Sequence, residues 1–548
     1  MTKKAIFFAV LIVLANVIQT IACTNLLITK GASVDGSTMI TYNADAGGFM
    51  EPLYFSSAKE YADGAMLDIY EWDSGKFLGK IKQVKNTYHV VGNINEYQVS
   101  IGETTFGGRE ELRDTTAIID YGSLMYIALQ RAKTAREAIK IMGELVAEYG
   151  YYSSGESFSV ADPNEVWILE MISKGPWEKG AVWAAIRIPD GYISAHANHS
   201  RIQEFDMNDK ENVMCSPDVV EFAIKRGYYD PKKDGKFSFQ KAYDPATPAS
   251  LLFCEGRVWS LFRRAAPSLN LSSDYWRAIE GAEPYPLYIK PDKKLSVADA
   301  IDLMRDHFEG TEFDMTKGIA AGPFGNPYRW KGLTWKISGD TLNEYAWERP
   351  ISTQQTAFAF VAQMRSWLPR EIGGILWYGV DDNYSNVYMP LYCSIERAPK
   401  PFIGGSIANV DLNSGFWVFN LVANWAYTKY RYIIKDIQEK QKYFENKFFA
   451  FQPAVELAAS ELYKQNPDLA IQFLTDYSCQ QAENVVDEWR DLWYRLVAKY
   501  NDGYINDVHK DHGRHPKGVG YGDEFFKQVI KERPGYYDVK WRNPAKKK

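Results

Sequence analysis

Cysteine, histidine and long apolar runs are scarce in this chain of 548 residues. It has five cysteines and seven histidines, and no two cysteines have the CxxC spacing of a structural zinc site. No long basic run or basic-aromatic stripe indicates a nucleic-acid partner, and the formal net charge is −6. Beyond residue 22, no apolar stretch reaches the roughly 20 residues that span a bilayer. Core-forming residues are abundant, at 46% hydrophobic and 15% aromatic, which is typical of a large globular protein.

Residues 1–22 have the pattern of a secretory signal peptide. Lys3 and Lys4 give a positive start, and residues 5–15 form an apolar run that is too short to span a membrane. Thr20 and Ala22 are small residues at the −3 and −1 positions of a cleavage site. The sequence therefore predicts a secreted or periplasmic protein.

Cys23 is the leading candidate for a catalytic nucleophile. Cleavage after Ala22 puts a thiol and a free α-amine on one residue. Because unperturbed pKa values are about 8 for the amine and about 8.5 for the thiol, the amine can act as the base of its own thiol. One alternative is a lipidated cysteine, although Thr20 stands where a lipoprotein usually has a large aliphatic residue.

The other alternative is an ordinary buried or disulfide-bonded cysteine, which is common in secreted chains. The remaining four cysteines allow three pairings, and their spacing selects none of them. These cysteines are Cys215, Cys254, Cys393 and Cys479.

The segment after Cys23 has the pattern of a β-hairpin. Residues 24–29 (TNLLIT) and 37–42 (STMITY) are rich in strand-forming residues, and the turn cluster KGASVDG separates them. The centre of the hairpin falls near residues 33–34. Antiparallel pairing about that centre puts Cys23 opposite residues 44–45.

Asp45 is therefore the second candidate site residue. A carboxylate beside Cys23 can hold the ammonium group or orient the nucleophile. The alternative is that residues 43–47 (NADAG) form only a polar turn.

The stretch CTNLLITKGASVDGSTMITYNADAG resembles the mature N-terminus of the dipeptidase A family. This family comprises cysteine-type N-terminal-nucleophile hydrolases related to secernins and, more distantly, to penicillin V acylases and bile salt (choloylglycine) hydrolases. The family often has an arginine three residues before the aspartate, where this chain has Tyr42. The similarity extends through most of the chain, in the stretches NEYQVSIGETT (95–105), KTAREAIKIMGELVAEYG (133–150), ADPNEVWILEM (161–171), AAIRIPDGYISAHAN (184–198), REIGGILWYGVDD (370–382) and SGFWVFNLVANW (414–425).

The resemblance implies three more site residues. Asn95 resembles the oxyanion-hole asparagine of the family, and Asn198 a second asparagine of the wider superfamily. Arg257 matches an active-site arginine of the related acylases, with Arg263 and Arg264 as competing matches. Without the resemblance, an asparagine at a strand end is usually a turn former, and an arginine on an amphipathic segment is usually solvated or ion-paired.

Pattern alone predicts an α+β fold, and the resemblance implies the four-layer αββα sandwich of N-terminal-nucleophile hydrolases. We expect that hydrolase domain over 23–413, and a helical extension with a polar C-terminal tail over 414–548. The elements that we predict are helices at 123–131 and 134–150, strands at 156–161, 166–171, 181–188 and 192–197, and helices within 414–500. The first two strands and the last two strands each flank a turn and are expected to pair as antiparallel hairpins. The second helix should face a sheet with its apolar residues, which are Ala138, Ile139, Met142, Leu145 and Val146.

The predicted function is a secreted or periplasmic cysteine-type dipeptidase that needs no cofactor and no metal. Small peptides are the expected partners, with no nucleic acid and possibly a second copy of the chain. The alternatives are an acyl-amide hydrolase of the bile salt or penicillin V type, and a non-catalytic, lipid-anchored surface protein. Three histidines, His509, His512 and His515, lie in a polar stretch with glycine and proline, which favours a solvated tail over a metal site.

Overall fold

The computed structural model describes residues 23–48, 50–330, 333–340, 342–507 and 515–539. Two antiparallel sheets form its centre. The seven-stranded sheet has the order Tyr288–Ile289, Ile193–His196, Asn25–Ile28, Thr38–Asp45, Thr356–Met364, Ile375–Val380 and Met389–Tyr392. The eight-stranded sheet has the order Val213–Cys215, Ala181–Arg187, Val166–Ser173, Gly155–Ala161, Ser100–Gly107, Ile94–Asn95, Val90–Val91 and Phe55–Ser56.

The two sheets face each other. Thr38–Asp45 of the seven-stranded sheet contacts Ser100–Gly107 and Gly155–Ala161 of the eight-stranded sheet. Every residue of these three strands is buried or nearly so, because each strand also has a helix or a loop over its other side. Side chains that alternate along these strands therefore meet in a closed space between the sheets.

Helices also pack against both sheets. Tyr121–Leu129 and Ala135–Tyr149 lie on the eight-stranded sheet, whereas Val297–Met304, Gly415–Thr428 and Pro467–Lys499 contact the seven-stranded sheet. The other α-helices described are Val219–Arg226, Phe239–Tyr243, Pro248–Ser250, Gly256–Ala265, Arg370–Gly373, Tyr430–Gln465 and Asp523–Glu532.

Besides the two large sheets, the described residues form four two-stranded sheets: Lys59–Glu60 with Asn86–Thr87, Met66–Tyr70 with Phe77–Lys82, Thr334–Trp335 with Tyr345–Ala346, and Tyr504–Ile505 with Lys517–Gly518. Among the residues described, no helix is both long and apolar enough to cross a membrane.

The α+β prediction and the N-terminal hairpin are confirmed. Thr24 pairs with Asn43, and Leu27 with Ile40, so the register places Cys23 opposite Ala44. The helix predicted at 134–150 is present as Ala135–Tyr149, with the side chain of Thr134 accepting a hydrogen bond from the backbone N–H of Glu137. The predicted apolar face of that helix is buried.

Two predictions need correction. The strands predicted at 181–188 and 192–197 are present but do not form a hairpin, because Ala181–Arg187 lies in the eight-stranded sheet and Ile193–His196 in the other. The chain crosses between the sheets at the turn that joins them. The helix predicted from residue 123 begins at Tyr121.

Some predictions fall outside the described residues, namely the signal peptide and His509 and His512. Helices occupy Gly415–Lys499 almost continuously, as predicted. The C-terminal tail contains a helix, Asp523–Glu532, that the sequence analysis did not predict.

Candidate active site

Cys23 lies where the two sheets meet, and only 1% of its surface is exposed. Its Sγ is 3.6 Å from the hydroxyl of Tyr42 and 3.7 Å from Oε1 of Glu103. Tyr42 belongs to the adjacent strand, Thr38–Asp45, and Glu103 to the facing strand, Ser100–Gly107. The hairpin register and the stacking of the sheets therefore bring these three side chains together.

Tyr42 and Glu103 form one hydrogen-bonded pair, in which the Tyr42 hydroxyl donates to Glu103 Oε1. Glu103 is fully buried, and burial raises its pKa to about 7 against the hydrogen bonds from Tyr42 and Glu156. Burial also raises the pKa of Glu156 well above its usual range, and the charge of Glu103 adds to that effect. Near neutral pH the carboxyl groups of Glu103 and Glu156 therefore hold at least one proton between them.

The thiol of Cys23 is held in its protonated form. Burial raises its pKa well above the usual value, and the negative charges of Glu103 and Asp45 raise it further. A thiol in this setting needs an adjacent proton acceptor before it can act as a nucleophile.

Asp45 is also buried near Cys23, in agreement with the predicted register. Its carboxylate is paired with Arg349, at 2.7 Å, and accepts a hydrogen bond of 2.6 Å from the Thr356 hydroxyl. Burial still raises the pKa of Asp45, although the charge of Arg349 opposes the shift. Asp45 is therefore already bound by a cation of the protein.

Arg257 anchors the backbone of the site. Its guanidinium donates to the carbonyl of Cys23, to Oγ1 of Thr24, at 2.9 Å, and to the carbonyl of Ala197, at 3.0 Å. Burial lowers its pKa to about 10, so it stays charged near neutrality. Of the three arginines considered from the sequence, Arg257 is the one that contacts Cys23. Arg263 and Arg264 instead form ion pairs with acidic residues of the neighbouring helix and loop.

Asn198 joins the same network. Its Oδ1 accepts a hydrogen bond from Arg257, at 3.0 Å, and its Nδ2 donates to the carbonyl of Thr105, at 2.7 Å. Its backbone has φ = 60°, in the left-handed region that asparagine tolerates better than most residues. Arg257 thus links the strand end at Asn198 to the backbone of Cys23.

The structure does not bring Asn95 to this cluster. Its Nδ2 donates to the carbonyls of Leu129 and Ala132, and its Oδ1 accepts from the backbone N–H groups of Tyr97 and Val99. This side chain holds a turn against the end of a helix. The oxyanion role expected for Asn95 has no support in this geometry, and the turn-forming alternative describes its contacts.

A cavity of about 190 Å³ opens beside Cys23. Its walls come from the strand end at 42–46, from the turn of the hairpin Met66–Tyr70/Phe77–Lys82 and from helix Tyr121–Leu129. The residues that line it are Cys23, Tyr42, Ala44, Asp45, Ala46, Glu51, Trp72, Asp73, Tyr121, Met125, Tyr126 and Phe358. Such a volume is below the roughly 300 Å³ of common drug-sized pockets, which favours a small substrate.

Glu103 and Arg349 belong to this site but were not predicted from the sequence. Glu103 lies in the stretch NEYQVSIGETT, which resembles the family. A carboxylate within a strand that is otherwise buried could have indicated a functional residue. No local sequence pattern pointed to Arg349, because it lies 304 positions from Asp45, the residue it contacts.

The histidines near the site serve the framework. His196 is buried between the hydroxyls of Thr104 and Ser159, at 2.7 and 2.8 Å, and burial lowers its pKa to about 3. His199 bonds Glu255, at 3.0 Å. The five cysteines are all unpaired, and no cluster of potential metal ligands occurs among the residues described.

Known proteins resemble the chain over most of its length. The sequence profile of peptidase family C69 matches residues 22–62 and 57–443. A probable dipeptidase of Salmonella dublin is 28% identical over 409 residues, which cover 71% of this chain and 84% of that protein. Dipeptidase A of Lactobacillus helveticus is 25% identical over 432 residues (75% and 82%), and a probable dipeptidase of Latilactobacillus sakei is 23% identical over 497 residues (88% and 96%).

Proposed function

The chain belongs to peptidase family C69, a family of cysteine peptidases, and on that premise we propose that it hydrolyses dipeptides with Cys23 as an N-terminal nucleophile. Removal of residues 1–22 from a secreted or periplasmic precursor exposes the α-amine of Cys23. The family match begins at residue 22, one position before this cysteine. Similar proteins from three bacteria carry the name dipeptidase or probable dipeptidase.

One observation carries the proposal: Cys23 lines a small cavity while its own carbonyl is fixed by Arg257. A nucleophile must be both accessible to substrate and held in one position, and this arrangement meets both needs. The raised pKa of the Cys23 thiol, due to burial and the neighbouring carboxylates, calls for a base next to it. The α-amine of the same residue is the nearest group that cleavage can supply.

In the proposed mechanism, the α-amine takes the thiol proton, and the sulfur attacks the scissile carbonyl to form a C–S bond. Asn198, which shares Arg257 with the carbonyl of Cys23, donates an N–H of its Nδ2 amide to the oxyanion. The resulting ammonium gives its proton to the leaving amine as the C–N bond breaks. Water, activated by the same amine, then hydrolyses the thioester and restores the thiol.

The same proposal includes the fold. We propose the four-layer αββα sandwich of N-terminal-nucleophile hydrolases, and two facing antiparallel sheets with helices packed on both support that proposal. The cavity also favours dipeptides over the acyl-amide alternative. Bile salt conjugates and penicillin V carry no ammonium group, whereas a dipeptide supplies one to the acidic side chains of Glu51 and Asp73.

The test is hydrolysis by the chain that starts at Cys23, measured with a panel of dipeptides, a bile salt conjugate and penicillin V. We expect hydrolysis of dipeptides and a loss of at least about 1,000-fold in kcat for Cys23→Ala, since the covalent step has no other nucleophile. Cys215→Ala is the matched control, because Cys215 is a partly exposed thiol remote from the cavity.

Full activity of Cys23→Ala would remove Cys23 from the mechanism. Cleavage of the acyl-amides but not of the dipeptides would leave the nucleophile in place and replace the substrate class.

A further inference from the structure

The cavity beside Cys23 has one wall that the proposed chemistry does not use. That wall combines two carboxylates, Glu51 and Asp73, with the aromatic rings of Trp72 and Tyr126. The ring centroids of Trp72 and Tyr126 are 4.6 Å apart. Carboxylates and aromatic faces both attract cations, so two independent features of this wall favour a positively charged ligand.

The two carboxylates have no cation of the protein beside them. Within the part of the chain that the structure describes, neither Glu51 nor Asp73 forms an ion pair with a lysine or an arginine. Glu51 accepts a hydrogen bond of 3.0 Å from the indole N–H of Trp72, and Asp73 accepts one of 2.8 Å from the Tyr121 hydroxyl. These bonds orient the two carboxyl groups but bring no cation to stabilise their charged forms.

Burial without a cationic partner disfavours the charged form of both groups. Loss of solvent raises the pKa of Glu51 to about 8, and it also raises the pKa of Asp73, which stands at the exposed rim. Asp45 differs, because Arg349 already neutralises it. Of the acidic residues that line the cavity, Glu51 and Asp73 are therefore the two that a cationic ligand can satisfy.

The turn that carries Trp72 and Asp73 is fixed in place. The backbone N–H of Trp72 donates to Asp120, at 3.0 Å. Helix Tyr121–Leu129 approaches the turn closely, since a Cβ added at Gly122 would lie 2.5 Å from the indole of Trp72. The acidic wall is thus a preorganised surface and needs no ordering when a ligand binds.

We propose that Glu51 and Asp73 bind the free α-ammonium of the substrate, so that the cavity accepts the N-terminal residue of an unblocked peptide. This proposal rests on the proposed function. An ammonium supplies three N–H donors for the carboxylates and a charge for the aromatic faces. The small cavity then holds one residue between that ammonium and the Sγ of Cys23, and the leaving residue lies outside.

Two measurements test the subsite. The first compares dipeptides of alanine, leucine and methionine with their N-acetylated forms, using the unaltered chain that starts at Cys23. We expect kcat/KM for the free dipeptides to exceed that for the N-acetyl forms at least about 100-fold, as expected for loss of charge-assisted bonds to two carboxylates. Equal hydrolysis of free and acetylated forms would overturn the subsite.

The second measurement uses Glu51→Gln and Asp73→Asn. Each variant should raise KM for free dipeptides about 10- to 100-fold, with little change in kcat, and reduce the preference over N-acetyl dipeptides. The matched control is Asp68→Asn, which removes a charge from the same hairpin at an exposed position paired with Lys80. An unchanged KM in both variants, or the same rise in Asp68→Asn, would contradict the proposal.

Binding to the Cys23→Ala chain separates the two proposals. Calorimetric titration with free and N-acetyl dipeptides reports the subsite without any catalysis, and only the free forms should bind. Selective binding combined with no hydrolysis by the unaltered chain would reject the proposed function and retain the subsite. Hydrolysis that depends on Cys23 but is equally fast for free and N-acetyl dipeptides would support the proposed function and reject the subsite.

Discussion

Glu103 is the residue whose removal reports most directly on the thiol of Cys23. The pKa of that thiol is raised by burial and next by the negative charge of Glu103, whose Oε1 is 3.7 Å away. Glu103 carries this charge mainly above its own pKa of about 7. Taking away a negative charge stabilises the thiolate, so Glu103→Gln should lower the thiol pKa.

The expected result is a shift of the alkylation rate of Cys23 towards lower pH in Glu103→Gln, followed with iodoacetamide and mass spectrometry. Glu110→Gln, an exposed glutamate beyond the same strand, is the control and should leave the profile unchanged. A shift towards higher pH in Glu103→Gln would mean that Glu103 stabilises the thiolate, contrary to this account.

Single residues also show how far the sequence alone could go. Asp45 followed from the register of a local hairpin, and Asn198 and Arg257 from the family resemblance. Glu103 and Arg349 reach the site from the facing sheet and from a distant loop, and no local pattern encodes such contacts. Asn95 makes the contacts of a turn former in the structure, and a strand-end asparagine has the same sequence pattern whether it binds a ligand or holds a turn.

At the scale of elements, prediction succeeded where pairing is local. Turn residues between two stretches rich in strand-forming residues predicted the hairpin around residues 33–34. The cap at Thr134 and the helical spacing of apolar residues predicted helix Ala135–Tyr149. Ala181–Arg187 and Ile193–His196 were expected to pair with each other, yet each joins a different sheet. Which sheet a strand joins depends on partners far away in sequence, and the short turn between the two strands allowed either outcome.

The helices over Gly415–Lys499 give an element-scale prediction. Trp489 is fully buried and stacks on Phe419, with ring centroids 5.1 Å apart. Both residues belong to the same core cluster as strands of the seven-stranded sheet. Trp489→Ala should therefore lower the free energy of unfolding by about 3–5 kcal/mol, in one transition shared with the rest of the chain.

Denaturant unfolding followed by circular dichroism checks this value. Tyr494→Ala lies on the same helix at a half-exposed position and should change stability little. If Trp489→Ala instead produced a separate early transition with the remainder unaffected, the helical region would be an independent domain.

At the scale of the whole molecule, the two facing sheets explain how the proposed nucleophile can be buried and still line the cavity. Strands from both sheets supply Cys23, Tyr42 and Glu103, and loops at the sheet ends supply Asp45's partner, Arg349. The acidic wall of the cavity comes from outside these strands, with Asp73 on the turn of the hairpin Met66–Tyr70/Phe77–Lys82 and Glu51 ahead of the strand Phe55–Ser56. The molecule thus separates the proposed chemistry from the proposed recognition of substrate.

The proposed mechanism depends most on the free α-amine of Cys23. The decisive measurement compares dipeptide hydrolysis by two chains, one beginning at Cys23 and one that retains Ala22, with intact mass and N-terminal sequencing to verify each end. Because the amine is the proposed base, we expect hydrolysis by the first chain and a loss of at least about 100-fold by the second. Equal activity of the two chains would contradict the N-terminal-nucleophile mechanism.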